Sequence, residues 1–346
     1  MTSQEWWGED IAVSDPGNAA NLRGAIQTYI WGDSGWTRHS PIDVQKNVNL
    51  PTDVKEENIE LPHLRSADRL TIHLRHGFTS VVYILHPLKS NRLQVPVIYH
   101  SGHQIVFFHE DRHTNDSGAY AISVLDFFLD KGFDVIGISM PLVGYNYHPL
   151  EVKENGQVFP ITCHDDVFQL ENPFYYFLEP IRATIDFLSS EEGYKRFIMM
   201  GLSGGGWSTT VYSAIDERVW LSFPVAGSIP NAMRVSPRDV GDKEQYLADF
   251  YNRFNYPTLY TLAAEGPGRL SCQILNEKDE CCFAFNGDNY WVPDVQLRLA
   301  QMHEPGQFHF FFDRCAPFHK VSAAATNKIY EEIKEAFAGK ATASRP

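Results

Sequence analysis

The chain has 346 residues, with 29 lysines and arginines against 43 aspartates and glutamates, a formal net charge of −14. At 43% apolar and 21% charged residues the composition is that of an ordinary globular protein, which excludes wholesale disorder, collagen and coiled coil. So acidic a surface repels phosphate backbones and anionic headgroups, so neither nucleic acid nor membrane is an expected partner.

Residues 1–17 lack the basic start and apolar stretch of a secretory signal, being interrupted by Glu5, Glu9, Asp10 and Asp15. No window approaches the ~18 apolar residues of a membrane helix. The five cysteines, Cys163, Cys272, Cys281, Cys282 and Cys315, are an odd and sparse set, which fits reduced thiols and a cytoplasmic setting. The adjacent Cys281 and Cys282 read as small packing residues.

Residues 1–64 read as an N-terminal extension, with a helix over 18–30 stopped by Gly32 and loop elsewhere. From Asp68 the texture changes. Leu70, Ile72 and Leu74 alternate with polar residues, His76-Gly77 marks a turn, and 81–85 is apolar throughout, which predicts an antiparallel strand pair. Strands over 95–99, 135–138, 196–200 and 220–225 then alternate with helices over 118–131, 173–190 and 204–215. That rhythm predicts an α/β fold, a mainly parallel sheet covered by helices on both faces, over a main domain of residues 65–340 with a tail at 341–346. Two stretches, about 143–172 and 228–268, interrupt it. Both leave from the C-terminal ends of strands, where open α/β sheets place ligands, so they are expected to wall or cap a pocket.

The segment Gly201-Leu202-Ser203-Gly204-Gly205 is G-x-S-x-G between a predicted strand and a predicted helix. In that context the serine sits on a sharp turn as a nucleophile, and the N–H of Gly204 lies where an oxyanion would form. A serine hydroxyl needs a general base oriented by a carboxylate, in the chain order Ser, acid, His. Beyond the strand-like run 271–276 stand Glu277, Asp279 and Glu280, of which Asp279 is best placed as the acid. His303, His309 and His319 are candidates for the base; His309 falls inside a strand-like run, whereas His319 follows that run in a loop, so His319 is favoured. Upstream, His100, Gly102, His103, His109, Asp111 and His113 crowd together without any recognisable metal-ligand spacing, so no metal site is read there. Their loop follows the strand that supplies the second oxyanion donor in such hydrolases, from an N–H at Gly102 or His103.

These residues resemble the α/β-hydrolase superfamily, in its esterase branch near acetyl xylan esterases and dienelactone hydrolases. The resemblance covers the chain from about Asp68 onward. It rests on the serine motif, on Glu179-Pro180-Ile181-Arg182-Ala183, on Asp242-Lys243-Glu244-Gln245, and on Asn276-Glu277-Lys278-Asp279-Glu280-Cys281-Cys282-Phe283. It implies Asp279 as acid and His319 as base, with no cofactor. Asn276 stands where the family usually has glycine, and residues 1–64 match no part of it. The expected activity is hydrolysis of a small, neutral carboxylic ester through an acyl-enzyme; amide cleavage by the same triad, or a non-catalytic binding protein, are the alternatives. Trp207 and Tyr145, with Tyr147, Phe159, Phe168, Tyr246, Phe250, Tyr251 and Tyr256 of the two insertions, either line an apolar pocket or pack beneath the loops.

Overall fold

A computed structural model describes residues 16–33, 35–37, 39–50, 61–90, 92–104, 119–234, 239–283, 289–302 and 305–343. In chain order the main elements are α1 (Pro16–Trp31), β1 (Ile42–Val48), β2 (Leu64–His73), β3 (Thr79–Pro87), β4 (Val97–His100), α2 (Ala119–Asp130), β5 (Val135–Ile138), β6 (Leu150–Glu154), β7 (Gln157–Ile161), α3 (Phe174–Glu191), β8 (Phe197–Leu202), α4 (Gly204–Ile215), β9 (Val219–Val225), α5 (Ala248–Tyr251), α6 (Tyr256–Ala264), β10 (Leu270–Asn276), α7 (Trp291–Ala300), β11 (Gln307–Asp313) and α8 (Ala323–Ala343).

Nine strands form one sheet in the order β1-β2-β3-β5-β4-β8-β9-β10-β11. From β5 to β11 all neighbours run parallel, while β1, β2 and β3 pair antiparallel and β3 joins β5 antiparallel. β5 and β8, in the middle of the parallel part, carry no polar side chain and are buried throughout, because both of their faces are covered. In β8 the side chains split with period two: Phe197 and Met199 join a core with α1, α3, α4, α6 and α7, whereas Ile198, Met200 and Leu202 face α2 and α8. Among the described residues no helix is long and apolar enough to cross a membrane.

Two expectations for the first 64 residues are refined. The predicted helix is present as α1, and its Ala19, Ile26, Ile30 and Trp31 are buried in the same core as α3 and α4. The stretch read as loop contains β1, which pairs with β2 from Ile42 opposite Ile72. β1 is an edge strand with mostly exposed side chains, so it shows little of the burial pattern that marks the others. The extension is held down by buried polar contacts. Trp31 Nε1 donates to Glu179 Oε2 at 2.7 Å, and Arg182 donates from Nε to the same oxygen and from its terminal nitrogen to Oε1, both at 2.7 Å.

The first interruption contains a hairpin, β6 and β7, closed by Asn155 (φ 50°) and Gly156 (φ 78°), the pair of left-handed residues that a tight two-residue turn demands. In the second, α6 packs on α4 and β10 and completes the crossover from β9 to β10. Where the parallel strands begin, His86 bridges Asp68 Oδ2 at 3.0 Å and Asp134 Oδ1 at 3.1 Å, and Arg92 Nε donates to Asp134 at 3.0 Å.

Candidate active site

The parallel strands bring the ends of β4, β8, β9, β10 and β11 to one edge of the sheet, and the candidate residues follow those ends. Ser203 links β8 directly to α4 with φ 58° and ψ −125°, a conformation that is strained for any residue with a side chain. The surrounding glycines are sterically required. A Cβ on Gly205 would overlap the His100 carbonyl, and one on Gly206 would lie 2.6 Å from Val225 O and 2.8 Å from Gly227 Cα. The Ser203 N–H donates to Val225 O at 3.0 Å, which ties the turn to β9. Ser203 is half-buried, and the N-terminus of α4 begins at the next residue.

Beyond β10, the Asp279 side chain is fully buried and its two oxygens have different partners. Oδ1 accepts the N–H groups of Cys281 and Cys282 at 3.0 and 2.9 Å, and Oδ2 lies 2.7 Å from His319 Nδ1. The other carboxylates considered stand elsewhere. Glu277 faces Arg314 at 3.9 Å, Glu280 is exposed, and Asp313 accepts from Cys315 N and Ala316 N, shaping the loop that leads to His319. His309 pairs with Glu332 at 3.0 Å across β11 and α8, and His303 lies outside the described residues. His319 Nε2 is buried and has no hydrogen-bond partner among the described residues. A bond from Ser203 Oγ to that nitrogen is therefore not made in this structure; such contacts often tighten only when substrate is bound.

Asn276 is a residue whose part the sequence reading missed. Its Nδ2 donates to Asp279 Oδ2 at 3.3 Å and to Lys320 O at 3.0 Å, so it joins the carboxylate to the backbone next to His319. A glycine there could do neither. The two adjacent cysteines also depart from expectation. Cys281 and Cys282 are bonded to each other, Cys281 is exposed, and only Cys163, Cys272 and Cys315 are free among the described residues.

The loop after β4 carries Gly102 at φ +64°, where a Cβ would lie 3.0 Å from Gly205 N and 3.3 Å from Gly204 N. The loop therefore sits against the first turn of α4. The Gly102 N–H is already donated to His100 Nδ1 at 3.2 Å, so Gly102 contributes close approach and not a free donor. Burial lowers the His100 imidazole to about 3 and, with the neighbouring His164, the His103 imidazole to about 4, so both are neutral at pH 7. His109, Asp111 and His113 lie outside the described residues.

The His103 ring turns to His164 of the first insertion, Nε2 to Nε2 at 3.2 Å, and to Asp242 of the second, Nε2 to Oδ2 at 3.5 Å. Beside them Glu244 is wholly buried; burial and then the charge of Asp242 push its carboxyl up to about 8.

Trp207 does not line a pocket. It is fully buried between Phe174 and Phe177 and donates from Nε1 to Tyr251 Oη at 2.6 Å, because the first turn of α4 points it into the helical layer. Tyr145 packs edge-on against Tyr83 of β3, three strands from the elbow. Phe250, Tyr251 and Tyr256 are buried, and Phe168 packs on Phe174 and Phe177, whereas Tyr147 and Tyr246 are exposed. Most of these aromatic residues thus pack beneath the insertions.

No family model and no curated protein matches the chain in sequence. Solved structures match it in shape. An acetyl xylan esterase from Paenibacillus sp. R4 aligns over 97% of this chain and 99% of its own with a TM-score of 0.54 at 12% identity. A glucuronoyl esterase from Solibacter usitatus aligns over 93% and 92% with a TM-score of 0.59 at 13% identity. Acetyl xylan esterase 1 from Thermoanaerobacterium sp. JW/SL YS485 gives 0.55 at 12% identity, over 97% and 99%. In strand order, in the serine turn between β8 and α4 and in these likenesses, the chain has the α/β-hydrolase fold.

Proposed function

We propose that the protein is a serine hydrolase cleaving carboxylic esters of small, neutral substrates. One observation carries the reading: an imidazole held by a buried carboxylate at 2.7 Å, its other nitrogen without a partner among the described residues, on the same sheet edge as a serine strained into an elbow. Ser203 Oγ attacks the acyl carbon while His319 Nε2 takes its proton. Asp279 keeps the Nδ1 proton in place and stabilises the imidazolium. The tetrahedral oxyanion is met by the Gly204 N–H at the start of α4 and by the His103 N–H, since the Gly102 N–H is engaged with His100. His319 then returns the proton to the leaving alcohol, and water repeats the sequence on the acyl-enzyme. The acetyl xylan and glucuronoyl esterases that share the fold fit an ester substrate, and the acidic surface disfavours an anionic one.

Labelling with a fluorophosphonate tests the nucleophile: stoichiometric modification at Ser203, abolished in Ser203→Ala, is expected. Turnover of p-nitrophenyl acetate without turnover of peptide anilides is expected as well. A protein that is neither labelled nor active on any ester would be a binding protein on this scaffold.

A further inference from the structure

His103, His164 and Asp242 belong to three separate segments: the loop after β4 and the two insertions. Their ligand atoms converge. His103 Nε2 lies 3.2 Å from His164 Nε2 and 3.5 Å from Asp242 Oδ2, and His164 Nε2 lies 3.7 Å from the same oxygen. The circle through these three atoms has a radius of about 2.0 Å, which matches the ~2.0–2.2 Å bonds of zinc to imidazole nitrogen and carboxylate oxygen. One ion slightly off their plane would reach all three at bonding distance. Tetrahedral ligands on such bonds stand about 3.3 Å apart, so the triangle approximates one face of a tetrahedron. Hydrogen bonding alone accounts poorly for it, because both distances to Asp242 exceed the usual ~2.7–3.2 Å of an N–H to oxygen bond.

A second observation points to a cation. Glu244 is 0% exposed, and neither of its carboxyl oxygens has a hydrogen-bond partner among the described residues. One of its oxygens lies within 4.8 Å of a ring nitrogen of His164 and an oxygen of Asp165, and Asp165 Oδ1 is also buried without a hydrogen bond. A buried carboxyl group without partners is costly, and a dication beside Glu244 would offset that cost.

We propose that His103, His164 and Asp242 bind one divalent transition metal of the zinc class, which clips both insertions onto the loop after β4, with the buried Glu244 carboxyl beside His164. Two imidazoles and a carboxylate select zinc, cobalt or nickel over magnesium and calcium. The site stands whether or not Ser203 is the nucleophile.

The test uses the untagged full chain, stripped by chelation and titrated with Co²⁺ followed spectroscopically and with Zn²⁺ followed by calorimetry. One equivalent is expected, with visible d–d bands, no thiolate-to-cobalt charge transfer, and a rise in Tm with Zn²⁺. Asp242→Asn and His164→Ala should each weaken binding by more than about 10-fold, and Glu244→Gln by about 10-fold. Asp242 has a 44% exposed side chain, so its variant is expected to fold, which Tm in the metal-free state verifies. Absence of a stoichiometric Co²⁺ band in the parent overturns the proposal, leaving three donors that share a proton. So does a band that persists unchanged in folded Asp242→Asn, or one dominated by thiolate charge transfer.

Discussion

Replacing Asp279 by Asn tests the proposed mechanism at one atom, and the structure dictates how the amide orients. Oδ1 accepts two backbone N–H groups at 3.0 and 2.9 Å, so the amide oxygen keeps that place. The NH₂ then occupies the Oδ2 position, 2.7 Å from His319 Nδ1 and 3.3 Å from the Asn276 amide nitrogen. Since an NH₂ only donates, His319 is driven to the tautomer in which Nδ1 accepts and Nε2 carries the proton. Nε2 then has no lone pair for the Ser203 proton. In serine hydrolases of this logic such a change costs about 10⁴ in kcat, or about 5 kcal/mol of transition-state stabilisation. KM should barely move, because the substrate does not touch Asp279. Folding should weaken by only about 1–2 kcal/mol, from the donor now facing Asn276. The assay is p-nitrophenyl acetate turnover per fluorophosphonate-titrated site, with a thermal melt as control. A folded Asp279→Asn protein with kcat within tenfold of the parent would refute the roles given to Asp279 and His319.

Two glycines should respond differently to the same methyl group. Gly205→Ala drives a Cβ into the His100 carbonyl backbone, so a loss above about 3 kcal/mol or failure to fold is expected in urea melts. Gly156→Ala meets open space and costs only the left-handed conformation, about 1–2 kcal/mol at most, with activity unchanged. The network around His86 gives stability a pH dependence with two limits. Burial alone would raise the Asp134 and Asp68 carboxyls, but hydrogen bonds from His86, with Arg92 on one and Lys46 on the other, hold both below the usual value. Burial alone would lower His86, but Asp134 and Asp68 raise it. The carboxylate contribution is therefore present above about pH 4 and lost as pH falls through their lower folded values. The His86 contribution is full below about pH 6.5 and lost as pH rises through its raised one. Tm of the parent minus that of His86→Gln should peak between these limits; a flat difference would contradict the network.

Legibility in the sequence followed burial. Strands covered on both faces announce themselves as apolar runs, and β5 spans the residues expected for it, 135–138. β1 has little buried surface and so left no pattern, although Asn155-Gly156 offered a hairpin signal that went unread. The serine turn was readable because its glycines are contiguous in the chain. The cluster of His103, His164 and Asp242 was not, since those residues are distant in sequence and meet only when both insertions fold back. Aromatic density misled at Trp207, because an apolar ring that fills a core and one that lines a pocket look the same in one dimension. The substitution of Asn276 for glycine looked like a departure, and the structure gives it two hydrogen bonds.

The docking of α1 sets the order in which the chain can be completed during synthesis. Its partners come late: Trp31 bonds a residue 148 positions downstream, Gln27 one 188 away and Arg23 one 239 away. At about 5–20 residues per second, the last of these is translated roughly 10–50 s after Arg23. Until those residues are made Ile26 and Ile30, buried in the finished protein, lack part of the core they join. Until its partners are translated α1 is an apolar segment without them, and a place where misassembly between neighbouring chains would start.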